Sequence, residues 1–262
     1  MKKLKKVLII GLSVLVVSGT SAAIYSSLQS DLFMVNGVEI EGSLKNPPLT
    51  HEDVMKLAGV PLGRVSIFSL DLKRIETQLL SHEWIQHVRL MKKPKHTLNI
   101  FITYKQPRAM IQGKKGSLSY VDADGKAFGT YSPEHSYDLP LLVGFSDQDR
   151  ARIHEALKIG ATWESHAMSK ISAISSILWD PDRGYRVLVS YAMSKQAAED
   201  QAMRSAVVRT MVDLGTEADV SLKGKLDKLV SVFQYLGEHS IAVRQVWSDL
   251  GKKVVVKTIS DS

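Results

Sequence analysis

The sequence predicts an α+β protein tethered to a membrane. One N-terminal transmembrane helix precedes a small domain of order strand, helix, helix, strand, strand. A larger mixed β domain with packed helices follows. Three observations carry this. Val7 to Ser30 is a run of 24 residues without a charge, and four lysines stand in front of it. Between Thr50 and Thr103, apolar residues recur first at helical and then at alternating spacing. After Pro107, short β-branched runs separated by turn residues are interrupted by two helical stretches, the texture of a mixed sheet with helices on it.

The chain has 262 residues, 44% of them hydrophobic and 23% charged. That balance suits one or two folded domains and excludes wholesale disorder. It has no cysteine, which removes disulfides, thiolate metal sites and a cysteine nucleophile together. The formal net charge of +7 invites a nucleic-acid reading, but its distribution argues against one. Lys2, Lys3, Lys5 and Lys6 are four of the 34 basic residues, so the rest of the chain carries 30 against 27 acidic ones. No stripe of arginine interleaved with aromatics occurs.

At about 1.5 Å per residue, a helix of roughly 20 residues crosses a ~30 Å hydrocarbon core. Backbone inside that core must satisfy its own hydrogen bonds, so a helix is the form expected. Residues 7–28 meet this requirement. Residues 1–6 then form a basic tail kept cytoplasmic by the positive-inside rule, and residues 29–33 a linker. The residues alone leave a second reading open. Val7 to Val17 has the length of a signal-peptide core, and Gly19-Thr20-Ser21-Ala22-Ala23 offers small residues for cleavage. Both readings export the remainder.

The small domain covers residues 34–106. Met34 to Gly42 reads as a short strand ending in glycine, and Asn46-Pro47-Pro48 as a loop. Thr50, with Asp53 three residues on, is a capping-box-like start for a helix through Leu57, stopped by Gly59. Pro61 and Gly63 make a turn. Asp71 caps a second helix with Leu72, Ile75 and Leu79 on one face. Trp84-Ile85 opens a strand through Met91, and Lys92-Lys93-Pro94-Lys95 turns the chain. Leu98, Ile100 and Ile102 alternate with Asn99, Phe101 and Thr103 in the next strand. Two helices covering one face of a three-stranded sheet make a two-layer unit. Trp84 is expected to wedge between helix and sheet, and Phe68 to plug the core between the two helices.

Residues 107–262 form the second domain. Ala109-Met110-Ile111, Leu118 to Val121 and Ala127-Phe128 are short strands, the last two joined by the turn Asp122-Ala123-Asp124-Gly125. Leu139 to Gly144 is an apolar segment entering a helix near Asp147, with Ile153, Ala156, Leu157 and Gly160 at helical spacing. Ile171 to Trp179 and Tyr185 to Tyr191 make a hairpin around Asp180 to Gly184. Val207 to Leu214 is a further strand, Leu222 to Leu236 an amphipathic helix, and Ile241 to Leu250 with Val254 to Ile259 a terminal hairpin. Ala192 to Met203 is polar and reads as either a helix or an insertion.

No G-x-S-x-G, S-x-x-K, H-E-x-x-H, phosphate-binding loop or G-x-G-x-x-G occurs. The eight histidines are scattered without metal-ligand spacing. Asp122, Asp124 and Gly125 look like the opening of a calcium loop, but Pro133 stands at the twelfth position, where an acid is needed. Trp163, Trp179 and Trp247 have no companion aromatic at helical or alternating spacing, which makes core packing their default role. The expectation is therefore no catalytic residue, no cofactor, no metal, no small-molecule substrate and no nucleic acid. The feature that bears on function is the last strand, Val254 to Ile259. It is short, β-branched and fit to lie at a sheet edge, where unpaired N–H and C=O groups can take an added strand. Lys252, Lys253 and Lys257 guard this edge; the plainer alternative is an inner strand with solvated lysines.

Several motifs in order give the chain a family resemblance. Phe68-Ser69-Leu70-Asp71, Trp84-Ile85, Val88, Pro94, Thr97-Leu98 and Pro107 follow one another as in the bacterial FtsQ/DivIB cell-division proteins. Val121 to Gly125, Leu139 to Gly144 and Leu214-Gly215 with Lys225-Leu226 and Leu229 are also similar to that family's patterns. Ser248-Asp249-Leu250 resembles its Asp-Leu-Arg motif, with Gly251 in place of the arginine. Tyr104-Lys105-Gln106 stands where the family usually carries an acid and an arginine.

The resemblance implies a basic cytoplasmic tail, a single membrane span, a POTRA domain of order βααββ and a β domain. It implies a single-pass type II protein of the inner membrane at the division septum, with its bulk in the periplasm. It implies a non-enzymatic scaffold whose POTRA domain meets upstream division proteins. The end of the β domain would receive FtsB/FtsL-type coiled-coil proteins and so bear on septal peptidoglycan synthesis. The residues expected to carry that contact are Asp249, Leu250, Lys253, Val254, Val255, Val256 and Lys257. The alternative is an exported POTRA-containing binding or transport-assembly module not dedicated to division.

Overall fold

The computed structural model describes residues 20, 33–44, 47–113, 116–133, 137–146, 148–192, 207–216, 222–248 and 253–259. The basic tail 1–6 and, apart from Thr20, the span expected at 7–28 lie outside these residues. Among the described residues no helix is long and apolar enough to cross a membrane. The chain divides into two compact units, Met1–Lys105 and Gln106–Ser262.

In the first unit, β1 (Gly37–Gly42) precedes α1 (His51–Ala58), α2 (Leu72–Leu80), β2 (Ile85–Lys93) and β3 (Thr97–Tyr104). Thr50 and Asp53 form a complete capping box. The Thr50 hydroxyl donates to the Asp53 carboxylate at 2.6 Å, and the Asp53 N–H returns a bond to Thr50 Oγ1 at 3.2 Å. The Thr50 bonds hold the Asp53 carboxyl below the usual carboxylate range. Asp71 caps α2 by accepting from the Arg74 N–H at 3.0 Å. The sheet order is β1-β3-β2, with β1 parallel and β2 antiparallel to the central β3. The expected strand from Met34 starts later, at Gly37; Met34 makes only an isolated bridge to Ser66.

Val54, Ala58, Ile75 and Leu79 of the helices and Leu98, Ile100 and Ile102 of β3 are all buried and make up the core of this unit. Trp84 is buried with them, and its carbonyl accepts from the Lys105 N–H at 2.9 Å. Phe68 departs from expectation. It is 55% exposed and plugs nothing between the helices. The turn at Ser66–Ser69, closed by Ser69 N–H to Ser66 C=O at 3.1 Å, sends Ile67 and Leu70 inward. Phe68, between them, points out.

The second unit opens with β4 (Ala109–Gln112), β5 (Leu118–Val121), β6 (Ala127–Thr130) and β7 (Leu141–Val143). Helix α3 (Arg150–Ser165) leads to the long hairpin β8 (Ser172–Asp180) and β9 (Gly184–Ala192). Then come β10 (Val207–Gly215), α4 (Leu222–Glu238), β11 (Val243–Trp247) and β12 (Val255–Thr258). One nine-stranded sheet takes them all, in the order β12-β11-β10-β9-β8-β7-β4-β5-β6. It is mixed: β4–β7, β7–β8 and β10–β11 are parallel, the other pairs antiparallel. Both helices join one core with one face of the sheet. Ile159 and Trp163 of α3 and Leu229 and Phe233 of α4 belong to the same buried cluster as Val187, Val212 and Val246.

Two sequence readings shift here. The helix expected near Asp147 begins at Arg150, capped by the Asp149 carboxylate, while Asp147 lies outside the described residues. Trp179 has an aromatic companion after all: cross-strand pairing sets Tyr185 opposite it, rings 4.7 Å apart, with the Arg152 guanidinium 4.7 Å over the indole. Spacing within one strand does not reveal that partner.

Burial, reinforced by the Glu155 carboxylate, pushes the Tyr185 phenol up to about 12. Burial raises Tyr104, Tyr120 and Tyr191 as well. The native state therefore keeps phenolic protons that the unfolded chain releases near pH 10, so the contribution of these phenols to stability is level below about pH 10 and is lost as pH rises toward 12. Melting temperature against pH should show that fall, and Tyr185→Phe should make it shallower. In the first unit, Ile100→Ala empties a fully buried site and should cost about 2–5 kcal/mol, whereas Phe68→Ala should cost under about 1 kcal/mol. Amide exchange of β3 in the two variants checks the difference.

Candidate functional site

The site lies at one end of the large sheet, in its last three strands β10, β11 and β12. β10 and β11 are parallel, paired Met211 to Gln245, Val212 to Val246 and Asp213 to Trp247. β12 returns antiparallel beside β11, paired Trp247 to Val255, Val246 to Val256, Gln245 to Lys257 and Val243 to Thr258. A bulge on β11 between Val243 and Gln245 lies inside this pairing. Among the described residues β12 pairs with no other strand, so it is a sheet edge.

All four residues of β12 are exposed; Val255 is 42% and Val256 38% accessible, unusual for β-branched apolar side chains in a sheet. Ile259 just beyond is 53% accessible. Lys253 and Lys257 are exposed, and Val254 packs partly against the core. Asp249 and Leu250, expected to belong to the site, lie outside the described residues, as does Lys252.

The direction of the backbone groups follows from one bond. The Ile259 N–H donates inward to Ala242 C=O at 3.1 Å. Successive residues of a strand turn their N–H and C=O to opposite sides. The groups of Val255 and Lys257 therefore face β11, and those of Val256 and Thr258 face outward. Side chains alternate with the same period: Val255 and Lys257 lie on the sheet face turned away from α3 and α4, across from Trp247 and Gln245.

Sequence reasoning missed the polar group that fixes this end of the sheet. Asp213, on β10, is 2% exposed. Its carboxylate accepts from Arg186 Nε on β9 at 2.7 Å and from the Gln245 amide on β11. Its carbonyl takes the Ser248 hydroxyl at 2.9 Å and the Ser248 N–H at 3.1 Å. Two further side chains hold β11 and the segment leading into it: Thr210 Oγ1 donates to Val243 C=O at 2.7 Å, and Tyr191 OH to Ile241 C=O, two residues before the strand, at 2.8 Å. The available signal was an acid alone in an apolar strand, one strand away from a lone arginine.

A separate concavity of about 310 Å³ lies along α3, with Ala156 and Ile177 at its wall and Arg108, His154, Lys158 and Glu164 among its lining. Among the described residues that line it there is no serine, threonine or cysteine to act as a nucleophile. Among the described residues no group of three or more acidic or histidine side chains is placed to hold a metal ion. What the arrangement can do is pair: it offers outward N–H and C=O groups on a firmly backed strand.

Comparison with known proteins agrees with this architecture. A family model described as the FtsQ-type POTRA domain matches residues 33–103. The cell division protein FtsQ of Geotalea daltonii is 28% identical over 219 residues, 80% of this chain and 72% of the relative. The protein of the same name from Geobacter sp. strain M21 is 24% identical over 219 residues, with the same shares of the two chains. That of Syntrophotalea carbinolica is 22% identical over 231 residues, 87% of this chain and 75% of the relative.

Arg186→Ala would leave the Asp213 carboxylate buried without its cation and should destabilise the second unit by about 3 kcal/mol. Lys257→Ala, at the exposed edge, should stay within about 0.5 kcal/mol of the parent. Urea unfolding followed by tryptophan fluorescence compares the two.

Proposed function

The chain belongs to the FtsQ/DivIB family of bacterial cell-division proteins, and from that membership we propose that it is a non-enzymatic, bitopic scaffold of the divisome. Residues 7–28 anchor it in the cytoplasmic membrane, with the bulk of the chain on the periplasmic side at the septum. Residues 34–106 meet upstream division proteins. Residues 107–262 receive an FtsB/FtsL-type coiled-coil partner, and through it the protein regulates septal peptidoglycan synthesis.

The observation that carries the second contact is the open edge of β12. Val256 and Thr258 offer two N–H and two C=O groups outward, and a partner strand adds by completing that ladder. Val255 and Lys257 give the same partner an apolar and a cationic contact on one face, suited to a segment that mixes aliphatic and acidic residues. Lys253 adds a second cation nearby. Asp249 and Leu250 are included in the contact on the family resemblance alone.

The test follows from which way the amides point. Proline at Val256 removes an outward donor, which an edge strand tolerates, whereas proline at Val255 would break the inward pairing with β11. Val256→Pro in the full chain should reduce capture of an FtsB/FtsL-type partner at least tenfold while leaving the circular dichroism spectrum unchanged. Cells depleted of the native protein should then filament when supplied with the variant. Undiminished capture removes the edge from the mechanism. A diffuse envelope signal with normal division favours the exported transport-assembly reading.

A further inference from the structure

The first unit carries an aromatic and basic patch that neither its core nor its sheet uses. Phe68 is 55% exposed, and its ring meets that of Phe33 edge-on at 5.4 Å; Phe33 in turn meets the His96 ring at 5.4 Å. The three come from separate segments tied by backbone bonds: Ile67 N–H to Phe33 C=O at 2.8 Å, and Asn36 N–H to His96 C=O at 3.1 Å. Leu62, 42% exposed, lies on the loop that leads to Phe68. Around these apolar groups stand three exposed cations. Arg64 adjoins Val65, whose carbonyl holds the Val35 N–H; Lys92 donates to the Phe68 carbonyl at 3.2 Å; Lys95 occupies the tight turn before His96. Glu39, on β1, is already paired with Lys93 at 2.7 Å.

The tether says what covers this patch. Phe33 is five residues past residue 28, where the proposed anchor ends. Five residues reach at most about 18 Å. The end of the unit that holds Phe33, Phe68 and His96 is thus kept within a short distance of the membrane surface. Aromatic rings flanked by lysine and arginine are the chemistry that seats in the headgroup and acyl boundary of an anionic bilayer. We propose that this end of the first unit docks on the phospholipid surface, with Phe68 inserted below the headgroups and Arg64, Lys92 and Lys95 on lipid phosphates. The proposal rests on residues 7–28 being a membrane anchor.

The absence of native cysteine allows a single spin label on the full chain. Phe68→Cys, Gln86→Cys at the far end of β2 and Leu15→Cys within the anchor would each be labelled in vesicles of phosphatidylethanolamine with phosphatidylglycerol. Relaxation by oxygen and by a water-soluble nickel chelate then reports immersion. The labels at 15 and 68 should read lipid, and that at 86 water. Combining Arg64→Glu, Lys92→Glu and Lys95→Glu should cut the lipid-exposed population at position 68 at least threefold and leave position 15 unchanged. An aqueous label at 68 beside a lipid-immersed label at 15 overturns the docking while leaving the anchor intact. An aqueous label at 15 overturns the anchor itself and the docking with it. Immersion at 68 that survives the triple reversal, or that requires another protein, also overturns the proposal.

Discussion

β10 and β11 run parallel, and a parallel pair cannot be joined by a tight turn. The chain must leave the end of one strand, travel back along the sheet and re-enter beside it. Helix α4 makes that return: its 17 residues extend about 26 Å, and its Leu226, Leu229 and Phe233 bury against the sheet as it goes. This crossover moves the chain one place outward. The antiparallel strand that follows then takes the outermost position. The exposed edge of β12 is thus a product of topology, and it exists only while α4 stays seated on the core.

Backing for that edge comes from polar side chains as much as from apolar packing. β11 is gripped at its first carbonyl by Thr210, just ahead of it at Ile241 by Tyr191, and through Gln245 by the buried carboxylate of Asp213. Asp213 in turn is neutralised by Arg186. Each member leaves a costly unpaired group if another is removed, so the group enforces one register across β9, β10 and β11. Among the described residues, β12 is tied by its ladder to β11 and by the partial burial of Val254 next to it. Local stability therefore falls off outward across the last two strands.

Much of the architecture was legible from local patterns. Thr50 with Asp53, and Asp71, announced two helices because a capping side chain acts within three residues of itself. Leu98, Ile100 and Ile102 announced the central strand of the first unit because alternation is a local period. Long-range consequences were not legible. The pairing of Trp179 with Tyr185, the charge group at Asp213 and the position of β12 all depend on which strands become neighbours, and no spacing within a strand encodes that. Phe68 was misjudged because an apolar residue in a turn reads as core, whereas the turn's own hydrogen bond decides which of its side chains point inward. Which amides of the last strand face outward needed one observed bond, that from Ile259 to Ala242.

The shortness of β12 sets a limit on what the edge achieves by itself. Two residues with outward backbone groups offer four hydrogen bonds, and at about 1 kcal/mol net for each the ladder supplies about 4 kcal/mol, a millimolar affinity. A contact that weak dissociates rapidly, and its residence time is set by whatever is added to it: side chains packed along the sheet face, or a high effective concentration of an occupant held to the same surface. Docking at this edge is therefore an exchangeable grip, readily released once the occupant is no longer held nearby.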